Sequence, residues 1–221
     1  MINIFLTCTV YPINNISWLK QRDPQERINM YIEIIELWIK NTNLSLTVIE
    51  NSGYQFQELK DKYLENNKHR LEFITFTYKD IPEEYRKFLE GKEAKGHHEL
   101  YELNYAYNNS CLINESSYII KITGRYFIPE LENILKIRVD NIFNQYNIVL
   151  QNTKWRGHHR CEILGCRYNY FNELFRFPSY NDMIEEEYTK RIIKIGTILL
   201  LPKLKLHKKT MQGVGAYLEY L

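Results

Sequence analysis

Long apolar runs, clusters of glycine and proline, an excess of one charge and paired cysteines are all missing from this 221-residue chain. Each absence excludes something. The longest apolar stretch near the C-terminus, IIKIGTILLLP, is broken by Lys194 and Gly196 and falls short of the ~20 residues that a membrane span requires. The N-terminal MINIFLTCTVYPINN has neither a basic leading region nor a small-residue cleavage site, so no signal peptide and a cytoplasmic location are expected. Nine glycines and six prolines never gather into a linker, which favours one domain over two. With 29 Lys and Arg against 27 Asp and Glu the formal charge is +2, which argues against a dedicated nucleic-acid binder. Among Cys8, Cys111, Cys161 and Cys166, the Cys161-x4-Cys166 spacing is too wide for a redox pair and no second pair completes a zinc set. Free thiols in a reducing compartment are expected.

Several chemistries are missing as well. The chain has no P-loop, no Gly-x-Ser-x-Gly elbow, no His-Glu-x-x-His helix and no Asp-x-Asp. Gly-x-Gly occurs only at Gly213 to Gly215, at the far end, so the dinucleotide fingerprint is absent too.

What remains is an ordinary globular composition, 44% hydrophobic and 25% charged, with 18 Tyr and an Asn-, Ile- and Lys-rich bias that suits an AT-rich coding genome. Strand-like runs (Ile2 to Val10, Leu44 to Ile49, Leu71 to Thr77, Tyr118 to Thr123) alternate with helical segments. Asp23-Pro24-Gln25-Glu26 supplies an N-cap, a proline at the first helical position and a capping-box Glu. Pro82 to Asn108 reads as helical with a break near Gly91 and Gly96, and Trp155 to Phe177 as aromatic and irregular. Short strands are expected at Asn147 to Gln151, Thr197 to Leu201 and Leu204 to Leu206. The alternation predicts an α/β domain whose central sheet is mostly parallel and flanked by helices. In such sheets ligands bind beyond the carboxyl ends of the strands. The candidate residues are therefore Thr9, Tyr11 and Pro12, then Glu50, Asn51 and Ser52, then Lys121 to Tyr126.

Three segments could carry chemistry. Lys121, Thr123, Gly124, Arg125 and Tyr126 close a strand with two cations beside a glycine, which suits a phosphate or diphosphate; a solvated strand-end turn is the plainer alternative. Lys95-Gly96-His97-His98-Glu99 could present backbone N–H groups and a lysine to an anion, with Glu99 and Glu102 on one helical face. Its two adjacent histidines point apart on a helix, so solvated His is expected there, not a metal site. The third segment, Trp155 to Glu162, gathers a stacking ring, His158, arginines and one carboxylate. Glu162 sits where a polar loop meets an apolar stretch and could act as a general base, or simply pair with Arg156 or Arg160.

Taken in order, Lys95-Gly96-x-x-Glu99, the strand end Lys121-Ile-Thr-Gly-Arg-Tyr126, the Glu162 loop and a closing Leu201-Pro-x-Leu…Gln212-Gly-Val-Gly215 resemble a family of small glycosyltransferase-like proteins. These occur in bacterial capsule and lipopolysaccharide clusters and in large DNA viruses. The resemblance implies a GT-A-like, Rossmann-type single domain, with a nucleotide-sugar-binding half at 1–126 and an acceptor half at 127–221. It implies transfer of a sugar from a UDP- or GDP-linked donor to a hydroxyl of a glycan, in the host cytoplasm if the gene is viral. By position, Thr9, Tyr11, Glu50 and Asn51 would lie near base and ribose, and Lys95, Glu99, Lys121 and Arg125 near diphosphate or sugar. Glu162 would be the base if the enzyme inverts, and Trp155 and His158 would border the sugar. Typical GT-A enzymes hold Mn²⁺ or Mg²⁺ with Asp-x-Asp where this chain has Lys-Ile-Thr-Gly-Arg, so transfer without a required metal is expected. The rival reading is a glycan-binding or degenerate transferase-like protein with no donor. The run Lys190, Arg191, Lys194, Lys203, Lys205, Lys208 and Lys209 could touch an anionic membrane surface, or be a solvated face balanced by Glu185 to Glu187.

Overall fold

The computed structural model describes residues 1–12, 19–90, 92, 95–142, 145–155, 157–180, 183–211 and 217–221, with side chains for all of these except 137–142, 155, 209, 211 and 217. Gly91, Arg156 and the closing Gln212 to Gly215 therefore lie outside the described residues, as do the side chains of Trp155 and Lys209.

In chain order the elements are β1 (Ile2–Cys8), α1 (Pro24–Asn41), β2 (Ser45–Glu50), α2 (Gln57–Leu59), a π-helical stretch (Lys60–Leu64), α3 (Glu65–Asn67), β3 (Leu71–Thr75), α4 (Glu83–Glu90), α5 (Lys95–Asn109) and β4 (Tyr118–Thr123). There follow α6 (Leu131–Ile142), β5 (Ile148–Gln151), β6 (Lys154–Trp155), β7 (His158–His159), β8 (Ile163–Arg167), α7 (Phe171–Leu174), α8 (Ile184–Ile195), β9 (Ile198–Leu201), β10 (Lys205–Met211) and β11 (Tyr217–Tyr220).

Seven strands form one sheet in the order β3-β2-β1-β4-β8-β5-β9. Every neighbouring pair is parallel except the two that involve β8. The alternating side chains of β1 explain why helices cover both faces. Ile4 and Leu6 pack with Tyr31, Ile34, Ile35 and Trp38 of α1, while Phe5 packs with Leu100 and Leu103 of α5 and Ile192 of α8. Asp23 caps α1 as its sequence predicts, accepting from the Glu26 N–H at 2.8 Å. Trp38 fastens that helix to the sheet by donating Nε1–H to the Tyr126 carbonyl at 2.9 Å.

The chain runs outward from β1 to β2 and β3, then returns to the other side of β1 as β4. That reversal opens a crevice at the carboxyl ends of β1 and β4.

Two expectations change. The segment read as irregular contains β8, an antiparallel strand set between β4 and β5. Gly165 is the reason it was hidden: a Cβ there would stand 2.6 Å from the Ile119 carbonyl oxygen, so close packing demands a residue that weakens a strand signal. The strand expected at Leu204 to Leu206 becomes part of β10, which pairs with β11 in a separate ribbon. Among the described residues no helix is long and apolar enough to cross a membrane.

Candidate active site at the ends of β1 and β4

A cleft of about 460 Å³ occupies the crevice, and all of its described lining residues lie between Thr7 and Arg125. Five of the described lining residues come from α5: Tyr101 and four polar ones. Lys95, His98, Glu99 and Glu102 are spaced i, i+3, i+4 and i+7, which puts them on one helical face turned to the strand ends.

Glu99 is the best connected of them. Its Oε1 accepts from Thr7 Oγ1 at 2.8 Å and pairs with Lys121 Nζ at 3.0 Å. Lys121 is buried and also donates to the Cys161 carbonyl, so its charge reaches the cleft only through Glu99. No hydrogen bond to Glu99 Oε2 is made among the described residues. One turn further, Glu102 is wholly buried and accepts from the Cys8 N–H (3.1 Å) and Asn51 Nδ2 (3.0 Å). Burial first, then the charges of Glu99 and Glu50, pushes its carboxyl well above the usual range, against the pull of the Cys8 N–H.

The loop after β2 is tied down by Glu50. This fully buried carboxylate accepts from the backbone N–H groups of Val10 (2.9 Å), Ser52 (3.0 Å) and Tyr54 (2.8 Å), and from the Ser52 hydroxyl. Burial raises its pKa, and those hydrogen bonds pull it back. Ser52 Oγ in turn accepts from the Val10 and Tyr11 N–H groups. On the far side Arg27 donates Nε–H to the Thr9 carbonyl and Nη2–H to Tyr31 Oη at 2.9 Å, bracing the chain beyond β1.

At the mouth, Lys95 has open surface on a wall crowded by protein. Burial first, then the charges of Arg125 and Lys121, lowers its pKa, and Glu99 and Glu162 partly restore it. Part of the wall is aromatic: Phe76 and Tyr101 of α5 meet edge-on at 5.9 Å, beside Tyr78.

Of the sequence candidates, Thr9, Tyr11, Pro12, Asn51, Ser52, Lys95, Glu99, Thr123 and Arg125 come together in the lining. The others stand elsewhere, each for a physical reason. Lys121 lies beneath the cleft because its side chain rises on the Ile119 face of β4, under α5. Glu50 is a loop latch. Gly96 lets α5 pack on α8, since a Cβ would meet Ile184 Cγ2 at 2.3 Å. Gly124 lets β4 pass β1, its N–H donating to the Thr7 carbonyl at 2.9 Å where a Cβ would stand 2.6 Å from Cys8 Sγ. Tyr126 is in the core, its carbonyl held by Trp38. Glu162 is not in the lining and lies 3.7 Å from Arg160, while His158 sits in the β6–β7 hairpin. The histidine pair is not solvated: His97 is fully buried against Phe88, and His98 lines the cleft with its pKa lowered by burial.

Sequence reasoning missed Thr7, Arg27, Tyr31 and the aromatic wall; it placed Glu102 on the helical face of Glu99 but gave it no role in the site.

No protein-family model matches the chain, and no curated protein matches it either. Among solved structures, it is similar to a protein described as a nucleotide-diphospho-sugar transferase from Desulfovibrio desulfuricans, 10% identical over 91% of this chain and 79% of that one, with a TM-score of 0.50. It is also similar to a cytidylyltransferase from Leptospira borgpetersenii, 11% identical over 91% and 75%, with a TM-score of 0.47. The first of these likenesses establishes the architecture, a GT-A-like single domain with a mostly parallel sheet flanked by helices.

A divalent cation of the kind GT-A enzymes hold fits poorly here. Among the described residues no three His, Cys, Asp or Glu side chains are grouped to hold one. The end of β4 offers Thr123 and Arg125, and Glu99 already carries Lys121 on Oε1.

Proposed function

We propose that this protein is a nucleotide-sugar-dependent glycosyltransferase that works without a required metal, moving a sugar from a UDP- or GDP-linked donor to a glycan hydroxyl. The observation that carries the reading is the crevice at the β1/β4 reversal, where Arg125 and Lys95 face a carboxylate held by Lys121. Among the described residues the cleft lining comes from 1–126, which supports their reading as the donor half, with 127–221 as the acceptor half. Thr9, Tyr11, Pro12, Asn51 and Ser52 border the base and ribose. Arg125 and Lys95 stabilise the leaving diphosphate by charge, the role a metal plays elsewhere.

In the transfer, the acceptor oxygen bonds to the anomeric carbon as the bond to the β-phosphate oxygen breaks. The electron pair leaves with the nucleoside diphosphate, and the hydroxyl proton passes to a carboxylate. Glu99 Oε2 suits that step better than Glu162, which lies outside the lining. Membrane contact is not part of the reading: of the basic run, Lys190, Arg191, Lys194 and Lys208 pair with Glu186, Glu187, Glu173 and Glu33, Lys203 lies over the Tyr220 ring, and the side chain of Lys209 is outside those described.

The test is release of nucleoside diphosphate from a panel of UDP- and GDP-sugars with glycan acceptors in EDTA. Turnover undiminished by EDTA and lost in Arg125→Ala is expected. Complete inhibition that Mn²⁺ reverses would refute metal independence. Glycan binding with no donor turnover would favour the non-catalytic glycan-binding alternative.

A further inference from the structure

Beyond the aromatic wall of the cleft lies a second cavity of about 360 Å³, formed by the segment around Arg176 to Tyr180 and by Glu187 and Arg191 of α8. The ring of Phe177 divides the two, standing 5.2 Å from that of Tyr101 in the cleft lining. Nothing in the donor site uses this space.

Among the described residues its polar groups are unbalanced towards donors. Arg191 is buried and engages Nε with Glu187 Oε1 at 2.8 Å and Nη1 with the Leu174 (3.0 Å) and Arg176 (2.9 Å) carbonyls. Its Nη2 has no hydrogen bond among the described residues. Ser179 is 2% exposed, yet its hydroxyl has no partner among the described residues. The guanidinium of Arg176 is exposed, with no ion pair among the described residues. Among the described residues the one carboxylate of the lining, Glu187, is already engaged by Arg191. Next to these donors the ring of Tyr180 is 80% exposed and held edge-on by Phe88 at 5.6 Å.

A buried hydroxyl without a partner is costly until a ligand supplies an acceptor. Guanidinium groups favour planar oxyanions, and a flat phenol ring suits the apolar face of a sugar. The volume falls within the range of about 300–1,000 Å³ typical of organic ligands, far more than a bare ion fills.

We propose that this second cavity binds a carboxylate-bearing saccharide, with the acid on Arg176, Arg191 and Ser179 and the sugar ring against Tyr180. Its place inside 127–221, one ring away from the cleft, makes it the seat of an acidic acceptor glycan; that use rests on the transferase reading, whereas the binding does not.

The test is saturation-transfer NMR on the full chain with methyl glucuronide, using methyl glucoside and inorganic phosphate as comparison probes. Saturation of the glucuronide but not the glucoside is expected, with binding about tenfold weaker in Arg176→Ala and in Ser179→Ala. Unliganded melting temperatures check that each variant folds. Equal signals from both glycosides, or no loss in either folded variant, would overturn the proposal. So would displacement of the glucuronide by an equal concentration of phosphate, since the sugar would then add nothing. Glucuronide binding by a chain that turns over no nucleotide sugar would keep this site and remove the transferase reading; the reverse result would do the opposite.

Discussion

Two glutamates reach the end of β1 from opposite sides, and their surroundings assign them different work. Glu50, on the loop after β2, is fully buried with both oxygens engaged by backbone N–H groups. It positions Tyr11 and Ser52 but cannot meet a substrate. Glu99, on α5, has its Oε1 engaged by Thr7 and Lys121, while Oε2 has no bond among the described residues. Both acids stand near a strand end, but only Glu99 keeps an oxygen without a hydrogen bond among the described residues, which the proposed proton-accepting role requires.

The comparison can be broken by substitution. Glu99→Gln should lower turnover by about 10²–10⁴-fold, as loss of a general base does, and also cost about 3 kcal/mol of stability by leaving the buried Lys121 without its carboxylate, so turnover is read at a temperature where the variant stays folded. Glu50→Ala should cost about 2–4 kcal/mol in urea unfolding through its orphaned N–H groups, with a far smaller loss of turnover in the folded fraction. If folded Glu99→Gln turns over normally and folded Glu50→Ala does not, the assignments are exchanged.

Lys121→Met should cost about 3 kcal/mol, the low end for breaking a buried pair, because Glu99 is partly open to water. Combined with Glu99→Gln the further cost should shrink by more than half, since the pair is then lost as a unit. Additive costs in that cycle would mean that Lys121 does not act through Glu99.

Glu102 and Glu36 sharpen the contrast through pH. Burial raises the Glu102 carboxyl above the ordinary glutamate value of 4.5, so the folded chain holds a proton that the unfolded chain has released. Stability from this group is therefore complete below that value and falls as pH rises through the window above it. Urea unfolding between about pH 5 and 8 should show the decline in the wild type and a flatter profile in Glu102→Gln. Glu36 has the opposite sign. Lys40, then Lys62, hold it down to about 2, so its stabilisation is present above 4.5 and is lost as pH falls through about 2. Being exposed, the network should contribute at most about 1 kcal/mol, measured as a small drop in melting temperature for Glu36→Gln at neutral pH.

The fold was legible where local chemistry is unambiguous. The β-branched runs marked β1 to β4, and Asp23-Pro24 marked the start of α1. Strand β8 was not, because Gly165 and Cys166 answer to contacts with β4 that only the assembled sheet imposes. In the site, Thr9, Asn51 and Arg125 were legible because the strand-end rule depends only on topology. Lys121 and Tyr126 were misjudged because that rule does not say which way a side chain turns: Lys121 shares the face of Ile119 and so enters the layer under α5. Arg27 and Tyr31 were invisible because their bonds to Thr9 span a helix and a loop.

The most direct test is calorimetric titration of the chain with UDP- and GDP-sugars in EDTA, beside Arg125→Ala. Binding of at least one donor without metal, lost in the variant, is predicted. Binding of no donor in EDTA, or binding that appears only with Mn²⁺ and survives the substitution, would contradict a cleft that neutralises the diphosphate with its own cations.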